Sequence, residues 1–582
     1  MATSLNSVST FDRTEALASS SRLGQVARKA GLTAAVAAVS IGLFFCYLRQ
    51  SLTVAPTSDG AANALQAWDM LHGNLLLHGW ALSDVSFYTT ELPEYMLVEW
   101  TRGLNIEVVN IAGALTYTAL VVVAALLARG TATGRQGVLR MIVAAGIMLS
   151  PQLGPGVNVM ILQPDHVGTA VPVLLAWLVL DRGGRRWWVP IAVGVLLTVA
   201  LIADPVVLYI GVGPLVAIMS ARVYGELVKR RGDEPAPRSR AEESGDPRSK
   251  TRLFETRWIK TPWFRVPWFK VRWLEAEWLT TMRFELSLIV AALIAVAIGL
   301  NVPALMHALG GYDVASAPNA FGVPAQMTSR VWLTLEGILL LFGANFFGSI
   351  FTFATGLVLL HVVGLALATW GFCRAVRSFS KTDDTVARLL VVGSAVIIAA
   401  YLFGVQAANI ATTREMAAVL PFGAVLAGRL VTDRLRETKL VSAAAIVLLG
   451  YALTLGINVN TAPAPPVNGQ LVTWLESHGY RYGLANYWQA NSVALATENQ
   501  VKIRALTTGA GFVIPYQWES KSSWYNPHLH SANFVALLNV PPGNQFYLPM
   551  SQVLDTFGPS SHTYHVGSYT VLVWNYNLLT RL

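Results

Sequence analysis

The sequence predicts a polytopic α-helical membrane protein with a small α/β domain at its carboxyl end. Three observations lead there. Of 582 residues, 54% are hydrophobic and only 13% are charged, with a mean hydropathy of +0.48; a chain this apolar, with repeated runs long enough to cross a bilayer, does not belong to the ordinary soluble class. The basic residues behind a net charge of +9 gather at alternate ends of those runs, as orientation signals do. After Asn458 the runs give way to short alternating segments divided by Gly, Pro and Asn.

Residues 1–30 read as a cytoplasmic tail with Arg13, Arg22, Arg28 and Lys29. Residues 31–221 form a first membrane domain, opening on a retained helix from Gly31 to Leu48. Its outer loop, residues 50–106, contains a polar, aromatic-rich stretch from Ser58 to Glu94, with Asp59, Asp69, Asp84, Glu91, Glu94, His72 and His78. Charges so scarce elsewhere and grouped beside a span mark a candidate site, against the plainer reading of a solvated loop. Spans follow from Val108 to Leu127, Met141 to Leu153, Val167 to Leu180, Val189 to Ala203 and Val206 to Ala221, the last two joined by an outer Asp204-Pro205 turn.

Residues 222–285 form a basic cytoplasmic loop containing a period-five repeat, with Trp258, Trp263, Trp268, Trp273 and Trp278 in register among Lys and Arg. Trp interleaved with cations suits a segment lying on anionic membrane lipids; a linker expanded by duplication is the alternative. Residues 286–458 form the second membrane domain. Counting charges makes Val331 to Phe347, interrupted by Glu336 and Asn345, a re-entrant or interfacial helix rather than a crossing. The total is about eleven crossings, with the amino end in and the carboxyl end out, in a plasma (inner) membrane. Residues 459–582 form the extracytoplasmic α/β domain, dense in Trp, Tyr, His and Asn; Tyr487 and Trp488 are candidate sugar platforms. Cys46 and Cys373 are the two cysteines, so disulfides are not what holds the outer domain together. Nothing indicates nucleic acid, and no glycine-rich phosphate loop follows a strand.

One span, a long outer loop with an early Asp and a following amphipathic helix, and then a crowd of spans resemble the GT-C superfamily of integral membrane glycosyltransferases. The residues that carry the resemblance are Asp59-Gly60-Ala61-Ala62-Asn63-Ala64-Leu65-Gln66-Ala67-Trp68 leading to Leu71-His72-Gly73-Asn74, and Thr413-Arg414-Glu415 running to Leu420-Pro421, with Glu415 in place of an aromatic residue. The resemblance implies transfer of a sugar from a polyprenyl-phosphate donor to a glycan or lipid acceptor of the cell envelope on the outer face, with inversion. It leaves room for a divalent cation, which some members use; no tight carboxylate cluster in the sequence argues for a metal.

The chemistry asks for a carboxylate to take the proton of the attacking hydroxyl and a cation to stabilise the departing phosphate. Asp59 is the candidate base, with Asp165 and Glu91 as further catalytic carboxylates, and Arg414 the candidate phosphate binder. His166, His72, Glu336, Trp488 and Tyr487 are candidate substrate contacts. Competing readings are a transporter or flippase of a lipid-linked or polar solute, and a non-catalytic envelope assembly protein.

Overall fold

The computed structural model describes residues 31, 33–162, 166–233, 276–316, 320–350, 352–437 and 440–582. The chain is a multi-pass α-helical bundle with an α/β domain seated on one end, called here the junction end. Helix α1 (Thr33–Ser51) leads to the first loop, which folds as α2 (Ser58–Leu71), β1 (Trp80–Leu82) and α3 (Glu91–Arg102). The bundle continues with α4 (Glu107–Arg129), α5 (Gly134–Ile147), a short α6 (Pro155–Val157) running into a π-turn at Asn158–Leu162, α7 (Val167–Gly183) and α8 (Trp188–Ala203). A second π-turn, Leu208–Val212, opens α9 (Gly213–Asp233). Then come α10 (Ala276–Ala308), β2 (Asp313–Val314), α11 (Met327–Leu341), α12 (Phe353–Arg377), α13 (Thr385–Phe403), a 3-10 turn at Ile410–Met416, α14 (Val419–Leu430), α15 (Thr432–Glu437) and α16 (Val441–Val459).

Seven described helices are long and apolar enough to cross a membrane, and two bent pairs, Pro155–Leu162 with Val167–Gly183 and Ile410–Met416 with Val419–Leu430, bring the number to nine. α8 and α5 are shorter, at 16 and 14 residues, yet both run the length of the bundle. α8 starts where Val189 packs on Gly183 and ends where the Ala203 carbonyl accepts from Ser86 and Phe87 of the first loop. α5 starts near the Arg140–Asp433 pair, and Ser150 beyond it meets Asn458 at the end of α16. With these two, the described chain crosses the bundle about eleven times, the number expected from the apolar runs.

Boundaries differ from the sequence reading in several places. The span expected from Met141 to Leu153 is α5, seven residues earlier at its start, because Gly134 to Arg140 already winds with its polar side toward Asp433. α9 runs on to Asp233 and α10 begins at Ala276, so the basic loop is shorter than residues 222–285. Most of the Trp repeat lies outside the described residues. α11 lies at the junction end with both its ends on that side: Arg330 donates to the carbonyl of Gly404 beyond α13, and Gln152, just past α5, exchanges hydrogen bonds with the backbone of Asn345. Close helix contact depends on small residues: a Cβ at Gly113 would fall 1.9 Å from the carbonyl oxygen of Ile161, so only glycine lets α4 meet the first π-turn.

The C-terminal domain contains α17 (Gly469–Ser477), β3 (Tyr482–Asn486), α18 (Tyr487–Ala496), β4 (Lys502–Thr508), β5 (Val513–Pro515), β6 (Ser520–Lys521), β7 (Phe534–Leu538), α19 (Met550–Phe557), β8 (His562–Val566) and β9 (Tyr569–Val573). Six strands form one mixed sheet in the order β5-β4-β3-β7-β9-β8, with β3 parallel to both β4 and β7. A three-stranded sheet stitches the domain to the bundle: Trp80 and Ala81 of the first loop pair with Lys521 and Ser520 on one side, and Ala81 and Leu82 with Asp313 and Val314 on the other. α18 lies against α2, where Ser58 donates through Oγ to the carbonyl of Tyr487 at 2.6 Å. The first loop is thereby clamped between bundle and domain. Both cysteines are free thiols.

Candidate active site at the domain junction

Four segments far apart in sequence meet at the junction end. The first turn of α2 presents Asp59, the 3-10 turn presents Arg414 and Glu415, the loop after β1 presents Asp84, and the C-terminal domain presents Tyr487, Trp488 and Glu519; together they line a polar cavity of about 460 Å3. Asp59 stands there because the chain turns at Leu52 to Val54 after α1 and restarts as a helix at Ser58; an acid in a helix's first turn also meets the favourable end of the helix dipole. Arg414 Nη1 lies 3.3 Å from Asp59 Oδ2. The hydroxyl of Tyr487 lies 2.6 Å from Asp59 Oδ1 and also against Glu519 Oε2. Burial, reinforced by the two carboxyls, pushes the Tyr487 phenol well above its usual range, so it keeps its hydrogen.

His166 forms the floor. It caps α7 in the left-handed region, at φ 62°, which is uncommon for a residue other than glycine. Its Nδ1 is 2.7 Å from Asp204 Oδ2 and its Nε2 is 3.3 Å from Glu415 Oε2, so the buried ring bridges two carboxylates, a setting that suits a doubly protonated imidazole. Asp204 is fixed in turn by Thr169, at 2.9 Å, and by the backbone N–H of Val206, at 2.8 Å. Asp84 is half-buried on the same wall. Burial raises its carboxyl pKa, opposed by nearby His166.

Past Asp84, His166 and Glu415 the cavity continues into a larger groove of about 860 Å3, walled by apolar residues of the second π-turn, α10 and α13, including Leu208, Tyr209, Leu300, Val396 and Phe403. Its lip is the Ala320–Gly322 strip, held to the end of α13 by Gly322 N–H to the carbonyl of Phe403 at 2.8 Å and Val405 N–H to the carbonyl of Ala320 at 3.2 Å. Phe321 on that lip is 88% exposed. An apolar groove that opens on the bundle's outer surface and ends at an arginine and a histidine can hold an amphiphile, tail in the groove and anionic head at the polar end.

Of the residues singled out in the sequence, Asp59, Arg414, His166, Tyr487 and Trp488 come together here. Others do not. Asp165 lies outside the described residues. Glu91 is buried away from the cavity, accepting from Thr90 and packing on Gly168, because α3 turns its first turn toward α7. His72 caps the opposite end of α2, about 20 Å along the helix from Asp59, with its ring tilted against that of Trp68. Glu336 accepts from Asn345 at 3.1 Å within the α11 hairpin and lines neither cavity. Asp84, Asp204, Glu415 and Glu519 complete the site and were not selected from sequence. Asp84 stood among the grouped charges of the first loop without being chosen, Asp204 carried only a turn signal, and Glu415 was noted as a departure from the family pattern. Glu519 gave no signal.

Among the described residues no three His, Cys, Asp or Glu side chains converge so as to hold a metal ion. Asp59 is engaged by Arg414 and Tyr487, and Asp204 and Glu415 by His166.

Compared with protein-family models and with curated proteins, the chain matches none. Among solved structures it is similar to an archaeal oligosaccharyltransferase, AglB from Archaeoglobus fulgidus, solved in complex with an inhibitory peptide and a dolichol-phosphate. The identity is 11%, the match covers 85% of this chain and 69% of that one, and the TM-score is 0.43.

Proposed function

We propose that the protein is a membrane glycosyltransferase that moves a sugar from a polyprenyl-phosphate donor to a hydroxyl of a cell-envelope glycan or lipid, with inversion, on the side of the membrane that carries the C-terminal domain. The observation that carries this reading is the continuity of a polar cavity, holding a carboxylate beside a guanidinium, with an apolar groove open to the bundle's surface. The groove suits the prenyl chain, and Arg414 suits the phosphate at its head. The C-terminal domain offers Trp488, Tyr516 and Trp518 with Asn486 and Gln545 on the facing wall, a lining suited to the apolar faces and hydroxyl rims of sugars.

In this reading the acceptor hydroxyl enters beside Asp59. Its oxygen attacks the anomeric carbon while Asp59 takes its proton, and the bond from that carbon to the phosphate oxygen breaks, with the electron pair leaving on the phosphate. Arg414 shifts from Asp59 toward the growing phosphate charge, a stabilisation worth most where water is excluded. Asp84, on the wall shared by cavity and groove, is the second carboxylate within the site.

The test is incorporation of label from several polyprenyl-phosphate sugars by the purified chain, reconstituted with a crude envelope acceptor. Transfer by the wild type, lost in Asp59→Asn at an unchanged protein level, is the expected result. Transfer retained in Asp59→Asn would remove Asp59 as the base and move the role to Asp84. No transfer from any donor by folded protein would overturn the enzyme reading in favour of a transporter or assembly role.

A further inference from the structure

The contact of Tyr487 with two carboxylates has a hydrogen count that does not balance if both are ionised. A phenol carries one hydrogen. Its oxygen sits within hydrogen-bond reach of Asp59 Oδ1 on one side and Glu519 Oε2 on the other. One hydrogen satisfies one of these contacts and leaves the other as two oxygens pressed together, lone pair to lone pair, at a site where Glu519 is 3% and Tyr487 6% exposed. Buried oxygens do not stay in such contact without a hydrogen between them.

We infer that the Asp59–Tyr487–Glu519 chain holds a second hydrogen, carried by Glu519, which donates to the Tyr487 oxygen while Tyr487 donates to an anionic Asp59. This rests on the proposed role of Asp59 and adds the C-terminal domain to the catalytic apparatus: Tyr487 and Glu519 are positioning residues for the base. One feature favours this direction over the reverse. Arg414 Nη1 donates to Asp59 Oδ2 at 3.3 Å, so this carboxyl already accepts from a cation. Glu519 is held in place by its backbone: at φ 46° it occupies the left-handed region, and its carbonyl accepts from Asn491 Nδ2 at 3.3 Å. Such a conformation persists in a residue other than glycine only where the surroundings impose it.

The groups facing this chain are Arg414 from the 3-10 turn, Tyr516 from the C-terminal domain and, across the cavity, Asp84, His166 and Glu415. α3, also packed on α2, turns Glu94 to Thr116 of α4 instead. When Glu519 gives up its hydrogen at higher pH, the Tyr487 hydrogen turns to Glu519 and Asp59 loses a donor. The base is then misdirected.

The experiment is the pH profile of kcat/KM for label transfer by the full chain, together with its thermal unfolding over the same range, for wild type, Glu519→Gln and Tyr487→Phe. The Gln amide supplies a hydrogen that does not titrate. Glu519→Gln is therefore expected to lose the alkaline limb of the profile, whereas Tyr487→Phe falls about tenfold or more across the range. The folded cluster keeps a hydrogen that a separated carboxyl releases near pH 4, so this contribution to stability is present at low pH and lost as pH rises through the cluster's own release. Wild type is expected to lose melting temperature on that rise, and Glu519→Gln to lose less. An alkaline limb and a stability slope identical in wild type and Glu519→Gln would overturn the inference. If Glu519→Gln does not fold, Tyr487→Phe decides: an unchanged stability slope there overturns it equally. If wild type transfers no sugar, the glycosyltransferase reading fails, and the unfolding comparison still judges the shared hydrogen.

Discussion

Two arginines are packed among carboxylates at opposite ends of the bundle, and their surroundings differ in kind. At the far end Arg429 of α14 directs Nε and Nη2 to the two oxygens of Asp384, Nη1 and Nη2 to those of Asp181, and Nη1 also to the carbonyl of Leu127. All five of its N–H groups are used, by α4, α7 and the residue that caps α13, and its side chain is 9% exposed. At the junction end Arg414 meets Asp59 through a 3.3 Å contact, is 27% exposed and lines a cavity. A guanidinium whose donors are all taken by fixed partners locks helices together. One that faces a cavity beside a carboxylate can exchange that partner for an arriving anion. Similar composition thus marks a helix lock at one end and, in the proposed function, a phosphate binder at the other.

The largest expected effect comes from breaking the far end. Arg429→Met leaves Asp181 and Asp384 facing each other without their cation, and removing one partner of a buried ion pair costs about 3–5 kcal/mol; thermal unfolding in detergent should show the folded fraction collapsing, with loss of any activity following from it. At the junction end the effect is on rate. Asp59→Asn should lower transfer about a thousandfold with the melting temperature close to wild type, and a matching loss of folded protein would erase the contrast between the two ends. Arg414→Gln should cost about a hundredfold in kcat, a loss of phosphate stabilisation read in the same assay; if it unfolds the protein as Arg429→Met does, Arg414 is a structural clamp too.

The smallest effect is at the stitch between first loop and outer domain. Asp69 is buried enough to raise its pKa, but hydrogen bonds from Trp80, Asn74 and Lys521 prevail and hold its carboxyl below the usual range. A depressed carboxyl adds stability above its unfolded pKa of about 3.9 and loses it as pH falls. Lys521→Ala should cost about 0.2–1 kcal/mol at neutral pH and flatten the acid loss of melting temperature; an unchanged acid slope would leave Trp80 and Asn74 as the whole of the effect.

Much of the bundle was legible because burial in lipid demands long apolar runs, and such runs are visible in one dimension. The α11 hairpin was legible for the related reason that Glu336 and Asn345 do not suit a crossing. Boundaries such as those of α5 and α10 were not, since polar turns such as Gly134 to Arg140 wind on into helix once Asp433 accepts from Gln136 and Arg140. At the site, Asp59 and Arg414 could be chosen because each is a charge beside an apolar run. Glu519 could not be chosen: it lies 460 positions from Asp59 in a domain full of ordinary polar residues, and its meaning depends on Tyr487 standing between them.

By itself the sequence determined that this chain crosses a membrane many times, keeps its scarce charges in a few loops and ends in a separate α/β domain. Those properties follow from the partition of side chains between lipid and water, which depends on local composition. The tertiary structure alone decided that the domain folds back onto the first loop, that His166 bridges Asp204 and Glu415, and that the polar cavity runs into an apolar groove. Such pairings are set by which distant segments share a surface, a matter of strand register and helix packing that no local pattern records.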